Sequence, residues 1–332
     1  MSATLKWKSR LLSSSLPLEY EVARTLTEHQ FAVDADYAYS RMDGDASKDF
    51  SVDISATAYP PYRSDKMLAE IHLLIECKHR HENTKWLFFP DPNTDEFATF
   101  RPGSTVRAVD EFSSTFFRSM ATAKFDELGT VCLKGVEIDL STGSVHDSEI
   151  RHGLYQLLFA LPRLLSETVR FNLHNLAEDR HPFFFCPILL TTASIHVAKA
   201  ETSVRSVEAA TVLEDISAEE PFVLLHLDST PEFEDHRARA CERLSALAIE
   251  PFVLELDEIR KAGGAHHYEL PSTKCANLAD KNGGKFMEYF SQIVVCQQSY
   301  LPSLISRIKD ASGNAIRTRR RPRARVPRAQ AS

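Results

Sequence analysis

Ile71-His72-Leu73-Leu74-Ile75-Glu76-Cys77-Lys78 decides how the rest of the chain is read. Side chains alternate between the two faces of a strand, so Ile71, Leu73, Ile75 and Cys77 form one apolar face. Glu76 and Lys78 share the other. Upstream, Ser51-Val52-Asp53-Ile54-Ser55 places Val52 and Ile54 on one side and Asp53, among serines, on the other. If these two strands pair, Asp53, Glu76 and Lys78 converge on one side of a sheet. An acid-x-Lys triplet alone is a chance event at this composition. Its weight comes from its position at the end of an amphipathic strand, opposite a matching aspartate.

Outward from this pair, Ser15–Gln30 has a helical pattern, with Ser15 or Leu16 at the cap, Pro17 in the first turn and an apolar stripe of Val22, Ala23 and Leu26. Glu19 sits within that stripe, where a carboxylate is costly unless paired or near a metal. Phe31–Tyr39 alternates, with Phe31, Val33, Ala35, Tyr37 and Tyr39 on one side, and reads as a strand. Strands follow over Phe50–Ala56 and Ala69–Lys78. Residues 79–148 break the rhythm and read as an insertion, with a helix-like stretch near Arg107–Met120 and a strand at VCLKGVEIDL. A helix is predicted from Ser148 to Val169, kinked or divided at Pro162. Later elements are a strand at Phe183–His196, a strand at Pro221–Asp228, a helix at Pro231–Leu247, a strand at Pro251–Leu256 and a long helix over Lys285–Lys309. With the insertion set aside, the order is helix, three strands, helix, strand. Three sequential strands suggest antiparallel pairing and the helical crossover a parallel neighbour, an α/β fold with a mixed sheet.

Three regions follow: a core over 1–200 interrupted at about 79–148, a C-terminal α/β extension over 201–310 and an arginine-rich tail over 311–332. The chain has 332 residues, 43% hydrophobic and 26% charged, the profile of a globular protein with ample core. No run approaches the roughly 20 apolar residues of a membrane span, and no signal peptide is evident. Six cysteines without a CxxC exclude a zinc ribbon and argue against a disulfide framework, so a reducing cytoplasm is expected. The net charge is −7, yet Arg317, Arg319, Arg320, Arg321, Arg323, Arg325 and Arg328 crowd an acid-free end; without these seven the body carries −14. The tail, with two prolines and little to pack, is expected to be disordered and is a candidate nucleic-acid arm.

Glu19 on a first helix, Asp53 and the Glu76-Cys77-Lys78 triplet resemble the PD-(D/E)xK nuclease superfamily, closest to Mrr-type restriction endonucleases. The likeness spans roughly residues 11–200 minus the insertion, and departs from the pattern at Val52, where a proline is common. It implies a restriction-endonuclease-like core and a metal-dependent endonuclease cutting DNA more than RNA, in restriction or phage defence. Asp53 and Glu76 would bind Mg²⁺, with Mn²⁺ able to substitute. Lys78 would orient the attacking water, and Glu19 would support the site. Gly153-Leu154-Tyr155-Gln156-Leu157 resembles the glutamine-bearing helix of RecB-type nucleases, which makes Gln156 a substrate-adjacent candidate.

Other readings compete with this one. A nuclease fold without catalysis could serve as a nucleic-acid or protein interaction module, which the intact Glu-x-Lys pair disfavours. Or the protein could be a scaffold in a larger defence complex, which the −14 body favours because it repels free nucleic acid. A homodimer or partner protein fits either reading. Cys77, His79 and His81 have period-2 spacing, but a regular strand places them opposite Glu76 and Lys78, against a zinc site. Trp7 and Trp86 are expected in the core.

Overall fold

A computed structural model of the chain describes residues 3–44, 46–61, 67–93, 106–114, 129–176, 179–281 and 289–317. In chain order the elements are α1 (Ala3–Ser13), α2 (Leu16–Glu28), β1 (Ala32–Asp43), β2 (Ala46–Ala58), β3 (Glu70–Lys78), β4 (Thr84–Pro90), β5 (Arg107–Val109), β6 (Val131–Asp139), β7 (Ser144–His146) and α3 (Ser148–His174). There follow β8 (Phe183–Thr191), β9 (Ser194–Ala198), α4 (Val204–Ala209), β10 (Ser217–Glu219), β11 (Phe222–His226), α5 (Pro231–Leu247), α6 (Pro251–Ala262), α7 (Pro271–Ala279), β12 (Gln292–Gln297) and α8 (Leu301–Arg317).

These strands form one mixed sheet in the order β1-β2-β3-β8-β12-β11-β6-β4-β9-β10, with β5 on β8 and β7 on β6. β1 and β2 are antiparallel, as are β2 and β3, and β8 runs parallel to β3 after the α3 crossover. The expected mixed α/β class is therefore observed. Two apolar clusters face the sheet from opposite sides. Leu18, Val22 and Leu26 of α2, with Leu301, Leu304, Ile305 and Ile308 of α8, cover Ile71, Leu73, Ile75 and Cys77. Leu157, Leu158, Leu161 and Leu165 of α3, with the inner faces of α5, α6 and α7, cover Leu74, Phe185 and Leu189. Each fully buried leucine of these clusters contributes about 1.5–3 kcal/mol.

Several expectations are corrected. Pro251–Leu256 is the start of a helix, where Pro251 suits the first turn and Arg260 and Lys261 the last. Lys285–Lys309 is no single helix: the β-branched run QIVVCQ is the buried strand β12, and α8 follows it. The expected strand Phe183–His196 is two, β8 and β9. Arg107–Val109 is a short strand on β8 rather than helix, and residues 115–120 lie outside the described set. α3 is neither divided nor ended at Pro162 and runs to His174. The 79–148 stretch is inserted in sequence but not in space, since β4 and β6 continue the sheet, and β10 to β12 of the C-terminal region join it too. Residues 311–317 of the expected disordered tail are the last turns of α8, with Ala315 and Ile316 in the core. Arg317 ends that helix; Arg319, Arg320, Arg321, Arg323, Arg325 and Arg328 lie outside the described residues.

The strand β1 does not keep one apolar face. Val33 packs on the α2 side of the sheet and Tyr37 and Tyr39 on the α3 side. β2 changes over at the same level, between Ile54 and Val52. At the crossover Asp36 takes a left-handed backbone (φ 55°), which aspartate tolerates better than most residues. It lies across from Asp53, between the pairs Ala35–Ile54 and Tyr37–Val52.

Candidate active site

The ladder between β2 and β3 runs to the Ile54–Ile75 pair. Beyond it the Asp53 side chain takes over, its Oδ2 accepting the Cys77 amide at 2.7 Å. The main chain of β3 therefore fixes Asp53 beside the end of the strand that carries Glu76 and Lys78. Lys78 Nζ donates to Glu76 Oε1 at 2.8 Å and to Gln156 Oε1 at 3.4 Å. Gln156 in turn donates to the Ser51 carbonyl at 3.0 Å, so it ties α3 to β2 across the site.

Gly153 permits this approach. A Cβ there would stand 2.5 Å from Leu189 Cδ1, 3.2 Å from Lys78 Cε and 3.5 Å from Glu76 Cγ. α3 can lie directly over the Glu76–Lys78 pair because residue 153 has no side chain. A glycine inside a long helix costs about 1 kcal/mol relative to alanine, which is the sequence signal that marks it.

The electrostatics are unbalanced. Glu76 is 1% exposed, and its Oε2 is buried with no hydrogen-bond partner. Burial, then the Asp53 charge, pushes its carboxyl up to about 7 against the pull of Lys78. Burial also raises Asp53, despite the Cys77 amide and Lys78. Glu19, half-buried on α2, rises to about 7 through burial and the charges of Asp53 and Asp36, with Lys78 opposing. Asp36 is thus a fourth acid in the field, unmarked by spacing because its backbone departs from the strand. His152, exposed on α3, feels both Lys78 and Asp53, and burial holds its imidazole below the ordinary value.

The structure brings Glu76, Lys78 and Gln156 together through direct hydrogen bonds, Asp53 through the Cys77 amide, and Glu19 through its field. Ser15 does not cap α2. Its backbone is left-handed (φ 60°) and its side chain makes no cap bond; instead its Oγ accepts the His79 amide at 3.1 Å. Arg80 is committed to Glu137 and Glu149. Cys77 is buried and its thiol is pushed well up by burial, then by Asp53 and Glu76. Trp86 is in the core as expected, whereas Trp7 is 54% exposed.

Among the described residues no three His, Cys, Asp or Glu side chains form a metal-holding group. Mg²⁺ needs fewer, since it takes one or two carboxylates and keeps several waters. Asp53 and the orphaned Oε2 of Glu76 supply that donor set. No protein-family model, curated protein or solved structure matches this chain.

Proposed function

We propose that the protein is a metal-dependent phosphodiester hydrolase of the PD-(D/E)xK type, acting on nucleic acid, with DNA the favoured substrate. The observation that carries this reading is the unpartnered, buried Glu76 Oε2 beside Asp53 and Lys78. A buried acceptor without a donor costs about 1–3 kcal/mol, more when charged, and a cation there removes the cost. The order α2-β1-β2-β3-α3-β8, with β3 and β8 parallel, agrees with the core such nucleases use.

Asp53 and Glu76 would hold Mg²⁺ or Mn²⁺, which when bound polarises a phosphoryl oxygen and lowers the pKa of a coordinated water. Lys78, held by Glu76 and Gln156, positions the attacking water and offsets negative charge building on the phosphate. Gln156 and Gly153 set the height of α3 over that lysine. Glu19 and Asp36 bias the field so that Asp53 accepts a cation more readily than it stays a free anion.

Seven arginines from Arg317 onward serve as a nucleic-acid arm for a body of charge −14. If four of them contact phosphate, truncation after Ile316 flattens the log K against log[salt] slope by about 3.6 on duplex DNA. All six cysteines are free and buried, which suits a reducing, cytoplasmic setting. Among the described residues no helix is long and apolar enough to cross a membrane.

The test is cleavage of plasmid, linear duplex, single-stranded DNA and RNA with Mg²⁺ or Mn²⁺, against EDTA and against Asp53→Ala. Metal-dependent cleavage of at least one substrate, lost in the variant, supports the reading. Absence of cleavage on all four, or equal cleavage by Asp53→Ala, rejects it in favour of the scaffolding alternative.

A further inference from the structure

Helix α1 is exposed from Lys6 to Ser13. Lys6, Trp7, Lys8, Ser9, Arg10, Leu11 and Leu12 all face solvent. An isolated helix of 11 residues is marginal in water, and this one buries none of the side chains from Lys6 to Ser13. It has three cations and no acid, and the first acid anywhere in the chain is Glu19. At 100° per residue Lys6 and Arg10 share one face. Trp7 and Leu11 share the next, and Lys8 follows. Among the described residues no ion pair engages these three cations, while Lys8 Nζ stands 5.9 Å from the Trp7 ring centre.

α1 is also joined to the candidate site. Ser15, at the joint between α1 and α2, accepts the amide of His79, the residue after Lys78. Leu12 of α1 lines one cavity of about 720 Å³ with His79, Arg80, His81, Asn83 and Thr192. Glu82 and Asp139 also line this cavity, and the Ser15–His79 bond joins the cationic helix to the residue that follows Lys78.

We infer that α1 is a nucleic-acid grip: Lys6, Lys8 and Arg10 contact backbone phosphates of the strand entering the candidate site, and Trp7 stacks on one of its bases. The inference deepens the proposed hydrolase and rests on it. Charge complementarity selects a polyanion as the occupant, and continuity with the Lys78 end of β3 selects nucleic acid over a lipid surface. Cations supply contacts that carry no sequence preference, and an aromatic face accepts any base. The grip thus adds affinity without sequence preference.

The test uses the full chain in EDTA, where binding is read without cleavage, on labelled duplex and single-stranded oligonucleotides across a salt series. Lys6→Gln/Lys8→Gln/Arg10→Gln is expected to flatten the duplex slope by about 2.7, for three lost phosphate contacts. Trp7→Ala is expected to weaken single-strand binding about 5- to 140-fold, with little change of slope. With Mg²⁺ both variants should raise KM and leave kcat unchanged. Since these side chains are exposed, melting temperatures should match the wild type and confirm folding.

Wild-type affinity and slope in both variants would overturn the grip, whether or not the wild type cleaves. So would α1-dependent self-association or binding to anionic vesicles with no α1-dependent nucleic-acid binding. α1-dependent binding by a protein that never cleaves would sink the hydrolase and leave the grip standing.

Discussion

Two glutamates near opposite ends of β8, on the same α3-side face of the sheet, behave in opposite ways. Glu111, near β5, accepts from Tyr289 at 2.8 Å and pairs with Lys274 at 3.1 Å, and Arg107 lies over the Tyr289 ring. Burial would raise its carboxyl, yet Lys274 and Arg107 hold it well below the usual range. Nearby, Arg260 pairs with Asp110 at 3.1 Å and fastens the same segment to α6. Glu76 is more deeply buried, but it has one ammonium, a neighbouring aspartate and an oxygen with no partner. The first region is neutralised from within and serves the fold. The second is left short of positive charge. That shortfall is the property a cation-binding site requires and a structural ion pair avoids.

The sharpest break in this comparison is to remove one partner on each side. Lys274→Met should cost about 1–3 kcal/mol in urea unfolding, because it takes the nearest cation from Glu111 and leaves Arg107 and Tyr289 to hold the charge. Cleavage per folded molecule should persist. Lys78→Ala should instead cut kcat by about 10²–10³ or more, as losing a positioned electrostatic group does, while Mg²⁺ binding survives. Asp53→Ala should lose both cleavage and Mg²⁺ affinity. If Lys274→Met is tolerated, or Lys78→Ala cleaves normally, the assignment of roles to the two regions fails.

Glu76→Gln sharpens the contrast through pH. In cation-free protein the Glu76 carboxyl titrates near 7 when folded and near 4.5 when unfolded. The folded state therefore keeps a proton that the unfolded chain releases across that window. Stability falls as pH rises from about 4.5 to about 7, and stays low above it. At about pH 8 Glu76→Gln should be more stable than wild type, by up to about 3 kcal/mol, and near pH 4 the two should agree. Mg²⁺ should stabilise wild type at the higher pH and leave the variant unmoved. Melts in EDTA and in Mg²⁺ at both pH values check all three statements.

Gly153→Ala is a subtler perturbation of the same site. Its Cβ must displace Leu189 and crowd Lys78, at a cost of about 1–3 kcal/mol. Activity should drop beyond what the stability loss explains, because the lysine moves. The smallest effect belongs to Glu19→Gln. Glu19 is only half-buried and solvent screens its charge, so stability should change little, while Mg²⁺ affinity and cleavage fall, as read from melts and initial rates on one preparation.

β3 was legible because its face is strict: Ile71, Leu73, Ile75 and Cys77 are all buried, and the residues between them carry the chemistry. Asp53 was legible as an acid among serines on the neighbouring strand, although the expected alternation fails there, since Val52 and Ile54 pack on opposite sides of the sheet. Asp36 was not, since it joins the site only through a left-handed backbone that no periodicity announces. PFVLEL was read as a strand and is the first half of α6, because a short apolar run fits either element. The long helical pattern near the C-terminus hid β12, whose β-branched QIVVCQ is buried at every position but the last. Trp7 failed as a core residue because its helix turns the Lys6–Ser13 side chains to solvent, a fact about the fold rather than about tryptophan.

Calorimetry of Mg²⁺ binding at about pH 6, in two buffers of different ionisation enthalpy, tests the central claim most directly. Ligands must be deprotonated to bind a metal, so a carboxyl held near 7 must give up its proton as the cation enters. The account predicts Mg²⁺ binding with proton release at about pH 6, little release at about pH 8.5, and loss of binding in Asp53→Ala and Glu76→Gln. Mg²⁺ binding that is absent at both pH values, or that survives unchanged in Glu76→Gln, would contradict it.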